Sequence, residues 1–187
     1  MLRAAFVGFL LSVGLACTAQ AGTEWQVDPT QSEVGFEYLK DGAPTKGEFR
    51  DFAGGGTFDA AAPQNARFEL RIRSKSIDLY DGLASAFATS AEWFDSKNHP
   101  EVIYVLQALE PLDGDRYTAT GQITIRGEKK PLISEIALKI GADSANASGT
   151  LTITRADFLL GIGPSAAFVE IGPDVLVTFA LTAKPDG

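Results

Sequence analysis

Residues 66–73 read Ala-Arg-Phe-Glu-Leu-Arg-Ile-Arg, an alternation of apolar and charged side chains. In an extended chain, Phe68, Leu70 and Ile72 lie on one face, and the charged residues between them lie on the other. A helix would scatter both sets around its surface, because its side chains repeat every 3.6 residues. The segment is therefore predicted to be a β-strand with one buried face and one face in water.

The same period of two recurs along most of the chain. It is found in segments 34–38, 117–125, 150–154 and 175–181. Glycine-containing turns separate the alternating segments, at Asp41-Gly42, Gly54-Gly55-Gly56, Asp113-Gly114-Asp115, Arg126-Gly127-Glu128 and Gly172-Pro173-Asp174. Many short strands joined by such turns predict one all-β domain, a sandwich or a barrel.

Residues 82–95 depart from this pattern and predict one short helical segment. The window is rich in Ala and poor in β-branched residues, as a helix would be. Asp81 stands where an N-cap residue is expected. The segment ends before Pro100, because the residue preceding a proline disfavours the helical conformation.

The first 21 residues resemble a secretory signal peptide. Arg3 supplies a positive charge, an apolar run extends over residues 4–16, and Ala19-Gln20-Ala21 matches a small-x-small cleavage site. The apolar run is shorter than the ~20 residues needed to span a bilayer. We therefore expect cleavage after Ala21 and export to the periplasm, with residues 22–187 as a single domain.

Two other fates of the N-terminal segment stay open. The segment would act as a membrane anchor if it were not cleaved. Alternatively, Cys17 would carry a lipid, as in bacterial lipoproteins, although Gly14 stands where an aliphatic residue is expected.

Composition and charge exclude several classes of function. The chain carries a net charge of -8, with 24 acidic and 16 basic residues, whereas a protein that neutralises nucleic-acid phosphates needs a basic surface. One Cys and one His are too few for a disulfide framework or a typical zinc site. No metal site is expected.

No set of catalytic residues emerges from the sequence. His99 is the only imidazole and is interpreted as a loop residue beside Pro100. Glu92 and Asp95 share a helical face but are interpreted as the solvated end of the helix. Nucleophile-elbow and phosphate-binding glycine motifs are absent. The protein is therefore predicted not to be an enzyme.

The order of several short motifs resembles the YceI-like family of exported bacterial proteins. The resemblance covers essentially residues 22–187. It rests on six elements in sequence: Trp25-Gln26-Val27-Asp28 with Ser32 to Phe36; Gly47 to Phe52 with Gly56 to Asp59; Ser76-Ile77-Asp78; Glu92 to Asp95 with His99 to Val102; Gly121 to Gly127 with Lys130-Pro131; and Arg155 to Phe158 with Gly161-Ile162-Gly163.

The resemblance implies a lipocalin-like antiparallel β-barrel of about eight strands with one short helical lid segment. It also implies a non-covalent isoprenoid lipid or quinone in the barrel interior, with no covalent cofactor. Residues 84–90 are more apolar than the corresponding lid of typical family members. The expected ligand-binding residues are mainly aromatic: Phe36, Tyr38, Phe49, Phe58, Phe68, Leu83, Phe87, Trp93, Phe94, Tyr104, Leu106, Tyr117, Ile123, Phe158 and Phe179.

Three functions from different classes follow. The first is a periplasmic carrier of such a ligand. The second is a non-enzymatic, stress-related interaction module with a filled core, since an eight-stranded barrel is just wide enough either to be filled or to hold one ligand. The third is an enzyme acting on a lipid tail. By family analogy, a quinone-using membrane cytochrome is a candidate partner, and the chain is expected to be a monomer or a homodimer.

Overall fold

A computed structural model describes residues 23–59, 62–164 and 169–186 of the chain. The predicted signal peptide, with Cys17, lies outside these described residues. Within them, no helix is long and apolar enough to cross a membrane.

Eleven strands and one α-helix form the described part of the domain. The strands are β1 (Thr23–Val27), β2 (Glu33–Lys40), β3 (Ala43–Phe49), β4 (Phe52–Phe58), β5 (Arg67–Arg73), β6 (Ile77–Asp78), β7 (Glu101–Pro111), β8 (Arg116–Ile125), β9 (Glu128–Ile140), β10 (Ala145–Thr154) and β11 (Ile171–Pro185), and the helix is α1 (Gly82–Ala88). The stretch at 66–73, predicted as a strand from its alternation, is β5.

Eight of the strands close into an antiparallel barrel. Their order is β1-β4-β5-β7-β8-β9-β10-β11, and β11 pairs back to β1 with Trp25 opposite Pro185 and Val27 opposite Ala183. The predicted all-β barrel of about eight strands with one short helix is therefore confirmed. Closure leaves no free edge along the β1–β11 seam.

The longest strand, β11, is shared between two partners along one edge. Its C-terminal residues pair with β1, whereas residues 171–180 pair with β2. The sheet continues from β2 through β3 to the short β6. Beside residues 171–180 of β11, the wall is therefore made by β2 and β3 rather than by β1 and β4.

Two-residue hairpin turns join the strands at two of the positions that the sequence predicted. Asp41 and Gly42, between β2 and β3, have φ values of 51° and 76°, and Arg126 and Gly127, between β8 and β9, have 51° and 81°. Positive φ at both central residues matches the twist of antiparallel strands and favours glycine at the second position.

The turns predicted at Gly54-Gly55-Gly56 and Gly172-Pro173-Asp174 are wrong, because these residues lie within β4 and β11. The glycines of β4 allow a close approach of the neighbouring strand instead, since a Cβ on Gly56 would lie 1.9 Å from the carbonyl oxygen of Arg67.

The helical segment is shorter than the sequence predicts. Asp81 caps α1 as expected, because its carboxylate accepts hydrogen bonds from the amides of Leu83 and Ala84. The helix ends at Ala88 rather than Asp95, and residues 89–98 form consecutive turns. The amide of Phe94 donates to the carbonyl of Ala88, so these turns fold back on the helix end.

Candidate functional site

A cavity of about 910 Å³ runs along the inside of the barrel. Its wall extends from Ile171 to Ala183 on β11, and from Leu132 to Ile140 on β9. Residues 83–94 close over one end of the barrel, which we call the helix end. The other end, which we call the turn end, holds the β7–β8 turn at 112–115.

Large aromatic side chains on the wall lie against glycines of neighbouring strands. A Cβ atom built on Gly149 would come within 2.9 Å of the Phe179 ring, to which Gly149 is directly paired. In the same way, Gly47 makes room for the Phe36 ring at 2.4 Å. Phe68 lies over Gly54, and Tyr104 lies over Gly121.

These glycines explain why the barrel has a lumen. A ring that lies over a glycine occupies the space where a neighbouring side chain would otherwise project. It therefore follows the wall instead of extending towards the barrel axis. The barrel can carry many large aromatics and still enclose an apolar space.

The helix end is built from aromatic rings packed on a glycine turn. The rings of Phe87 and Trp93 lie 6.4 Å apart between centroids. Trp93 packs on Gly161, where a Cβ would come within 2.6 Å of the indole, and Gly161 has a φ of 64°. This position therefore requires glycine for both its conformation and its close contact.

Two arginines fasten the segments at the helix end. Arg155 donates hydrogen bonds to the carbonyls of Leu160, Ile171 and Gly172, and its guanidinium lies 6.0 Å from the centroid of the Trp93 ring. Arg126 donates to the carbonyl of Leu159 and, at 2.7 Å, to that of Ala91.

Both arginines have a structural role. Each guanidinium is directed at backbone carbonyls, which fixes residues 155–163 and the turns after α1 against the barrel. Arg155 belongs to the Arg-x-Asp-Phe motif and Arg126 to the motif at 121–127. Arginines from both motifs therefore hold residues 83–94 in place over the helix end of the barrel.

Two tyrosine hydroxyls lie on the mainly apolar wall. Burial raises the pKa of Tyr104 to about 12, because the phenolate is disfavoured where water is scarce. Burial also raises the pKa of Tyr38, which is less enclosed. Both side chains remain neutral hydrogen-bonding groups at physiological pH.

Thirteen of the fifteen sequence-predicted site residues line the cavity. Tyr117 and Phe158 do not. Tyr117 has the inward alternation of β8 but lies at its turn-end start, beyond the cavity, and packs on a cluster with Leu109 and Ala119. Phe158 follows β10 in a short 3₁₀ turn and is 3 % exposed within the solid part of the core. Participation of all fifteen residues in ligand binding stays a prediction.

The sequence analysis missed several wall residues because they are small or lie outside aromatic stripes. Trp25 lines the cavity, as do Ser134 and the alanines at 145, 147 and 183. The inward alternation of β9, with Leu132, Ser134, Ile136 and Leu138, was available in the sequence as a signal.

His99, Glu92 and Asp95, the residues considered for catalysis, mainly make contacts that hold loops and turns together. Ser74 donates to the backbone carbonyl of His99 at 2.8 Å, and the imidazole lies 4.0 Å from Asp95 and packs on Gly127. Glu92 reaches the cavity rim, and its backbone carbonyl accepts from Gly161. No cluster of three potential metal ligands occurs among the described residues.

The fold and the cavity define a class: a small antiparallel barrel with a hollow, aromatic-walled lumen. The sequence model of the YceI-like domain matches residues 25–183, and the chain belongs to this family. The resemblance identified from the short motifs is thereby confirmed.

Relatives of similar length occur in bacteria. A UPF0312 protein of Pseudomonas putida strain W619 is 25 % identical over 95 % of this chain and 97 % of its own length. A UPF0312 protein of Shewanella sp. strain MR-7 is 26 % identical, over 91 % and 93 %.

Solved structures share the barrel. BcnA of Burkholderia cenocepacia superposes with a TM-score of 0.76 at 27 % identity, covering 83 % of this chain and 98 % of its own. A polyisoprenoid binding domain from Saccharophagus degradans gives a TM-score of 0.71 at 16 % identity, covering 86 % and 98 %. The second likeness establishes the fold alone.

Proposed function

We propose that the protein binds a long apolar molecule, an isoprenoid lipid or an isoprenoid quinone, inside the barrel and performs no catalysis on it. The observation that carries this proposal is the open lumen itself. The rings of Phe36, Phe68, Tyr104 and Phe179 lie over glycines, and this arrangement leaves the interior unfilled. A barrel that served only as a scaffold would gain stability by filling this space.

The chemistry of the wall supports an apolar ligand. The wall is almost entirely aliphatic and aromatic, and its charged residues lie near the two ends: Lys40, Arg67, Asp81, Glu92 and Arg155. The Saccharophagus degradans domain with the same fold is described as polyisoprenoid binding.

The size of the cavity is compatible with binding of useful strength. At roughly 30 Å³ per small heavy-atom group, the volume accommodates about 30 heavy atoms. At drug-like efficiencies of ~0.3 kcal/mol per atom, such a ligand gains about 9 kcal/mol relative to water. That free energy corresponds to a dissociation constant of roughly sub-micromolar order.

The free energy of transferring the ligand between a membrane and the barrel would be close to zero. An isoprenoid chain is surrounded by apolar groups both in a bilayer and in the barrel, so transfer changes little of its exposure to water. This balance suits a carrier or reservoir, which must release its ligand as well as bind it.

The location and partners form part of the same proposal. The signal-like residues 1–21 support export to the periplasm, with lipid attachment at Cys17 as the less favoured alternative. A membrane cytochrome that uses quinone is the proposed protein partner. The chain is proposed to act as a monomer or a homodimer.

The first test is native mass spectrometry of the purified protein, followed by organic extraction and mass analysis of the released material. A one-to-one adduct with the mass of an isoprenoid lipid or quinone is the expected result. The same spectrum checks the mass expected for a chain that begins at Gly22.

A matched pair of variants separates lumen binding from adventitious association. Phe179→Asp places a carboxylate on the cavity wall and should remove the adduct. Asp113→Asn changes an exposed turn residue and should retain it. A protein that is empty and also fails to take up added polyprenols or quinones would contradict the proposal and favour an interaction module.

A further inference from the structure

The lumen contains two hydroxyl groups part-way along an apolar wall. Tyr104 on β7 and Ser134 on β9 both line the cavity, and neither side chain makes a hydrogen bond to the described part of the chain. Neither oxygen is among the polar atoms that the protein covers completely. Both hydroxyls are therefore free to meet whatever occupies the lumen.

The strand register brings these two side chains towards each other. The Tyr104 hydroxyl lies 2.9 Å from the position that a Cβ would take on Gly121. Ser134 is paired with Ala119, and Gly121 is paired with Leu132. Ser134 is thus the diagonal neighbour of Gly121, at a separation of about 7–8 Å in a β-sheet.

Other polar groups at the wall are hydrogen-bonded to the protein, covered by protein atoms, or close to one end of the barrel. The indole nitrogens of Trp25 and Trp93 have no partner within the described ranges, but protein atoms cover both. Arg155 is engaged by backbone carbonyls. Thr57 also lines the cavity, but it lies next to the last residue of β4, whereas Tyr104 and Ser134 lie within their strands.

A pure hydrocarbon chain would leave both hydroxyls without a partner. A polar group that is removed from water and not hydrogen-bonded is costly. A ligand oxygen at this depth would remove that cost, since each hydroxyl can both donate and accept. The neighbouring wall residues Leu106, Ile123 and Leu132 are apolar, so a charged group would be disfavoured there.

We propose that Tyr104 and Ser134 form a subsite for an uncharged carbonyl or hydroxyl oxygen of the ligand, held inside the barrel rather than at its open end. This inference rests on the proposed function and makes it more specific. The ligand is bound by its apolar chain along the wall, and its oxygen is recognised by the two hydroxyls. Carbonyl-bearing quinones and hydroxyl-bearing polyprenols are the two sources of such an oxygen.

The test compares three probes that differ in their oxygen: squalene with none, a polyprenol with a hydroxyl, and an isoprenoid quinone with carbonyls. Each is allowed to partition between neutral phosphatidylcholine vesicles and the purified protein, and the bound fraction is measured by mass analysis. Tyr104→Phe should weaken binding of at least one oxygen-bearing probe about five- to tenfold, the loss expected for one hydrogen bond in a water-poor site. Squalene should stay within about twofold, as expected when no hydrogen bond is lost.

Two further variants sharpen the result. Ser134→Ala should weaken the same probe, whereas Tyr80→Phe, which alters a tyrosine that is 66 % exposed, should leave all three unchanged. For a bound quinone, the infrared carbonyl band should lie at lower frequency than in an apolar solvent and return towards the solvent value in Tyr104→Phe. The probe that loses affinity identifies the chemistry of the oxygen.

The outcomes separate the inference from the function beneath it. Equal weakening of all three probes in Tyr104→Phe, or no weakening of any, would overturn the subsite. So would a selective loss in Tyr38→Phe, which would place the oxygen at the helix end. Failure of the unaltered protein to take up any probe would instead overturn the proposed function itself.

Discussion

Asp28 fastens the junction of β1 and β2 to the last strand of the barrel. Its carboxylate accepts a hydrogen bond from Lys184 on β11 at 2.6 Å and two from Thr30. Its amide donates to the carbonyl of Thr182. The residue therefore lies on the seam where the barrel closes.

This arrangement gives Asp28 a pH-dependent role. The hydrogen bond from Lys184, followed by those from Thr30, lowers the pKa of Asp28 from 3.8 to about 2. A carboxyl whose pKa falls on folding stabilises the protein above its unfolded value and loses that effect as the pH falls through its folded value. The contribution should be complete above about pH 4 and absent below about pH 2.

Asp28→Asn should therefore lower the melting temperature at neutral pH. The difference from the unaltered protein should shrink as the pH falls from about 4 to about 2. Thermal melts at a series of pH values measure it, with Asp113→Asn as the control for loss of one exposed carboxylate. A difference that stays constant down to pH 2 would show that the charge of Asp28 is not what matters.

At the scale of the elements, the pairing of β10 with β11 sets the shape of the lumen. Gly149→Ala should force the Phe179 ring away from the wall, because the new methyl group would lie 2.9 Å from it and 3.2 Å from the carbonyl of Glu135. Because Phe179 lines the cavity, we expect the displaced ring to move into the lumen. Overpacking of this kind costs about 1–3 kcal/mol, and we expect binding of a long ligand to weaken by at least about tenfold.

A second substitution tests whether the ring is responsible. Gly149→Ala combined with Phe179→Leu should recover much of the lost binding, since the smaller side chain leaves the lumen open. Gly82→Ala is the matched control, because a Cβ there meets no atom within 4 Å. If the single and the double variant lose ligand affinity equally, the cause is distortion of the strands. That result would contradict the explanation that the lumen stays open because the Phe179 ring lies over Gly149.

The sequence predicted the faces of the strands but not their partners. A period of two determines which side chains of a strand share a face, and strand residues of the expected ligand-binding set, such as Phe68, Tyr104 and Phe179, line the cavity. It carries no information about pairing, which is why the division of β11 between β1 and β2 was not predicted. Strand glycines such as Gly149 were also overlooked, because their role depends on a ring in the neighbouring strand.

For the helix, the sequence predicted the start correctly but not the end. The Ala-rich window at 82–95 predicts helix throughout, yet the helix ends at Ala88. Thr89 donates its hydroxyl hydrogen bond to the carbonyl of Ala86, and Asp95 has a φ of 45°. Side-chain bonds and tight turns that pack Trp93 and Phe94 against the barrel override the local propensity here.

At the scale of the whole molecule, the first and last strands are neighbours. The barrel closes only when β1 meets β11, so the lumen is complete only in the fully folded chain. A ligand inside the lumen should therefore bind the folded state and have little affinity for the unfolded one. Binding of this kind stabilises a protein by an amount that grows with the logarithm of the ratio of the free ligand concentration to the dissociation constant.

Removal of the ligand should consequently lower the melting temperature. At a free ligand concentration a hundredfold above the dissociation constant, the stabilisation is about 2.7 kcal/mol. For a domain of this size, that corresponds to a shift of about 5–10 °C. Calorimetry of the protein as purified, after organic extraction, and after reloading measures the effect.

The reloaded protein should recover the higher melting temperature, whereas Phe179→Asp should melt at the same temperature with and without added ligand. The comparison isolates the lumen, because a ligand adsorbed on the exterior would stabilise both proteins alike. An unaltered protein whose melting temperature does not respond to extraction and reloading would show that the lumen gains nothing from being filled. The open space would then have to be explained by something other than a ligand.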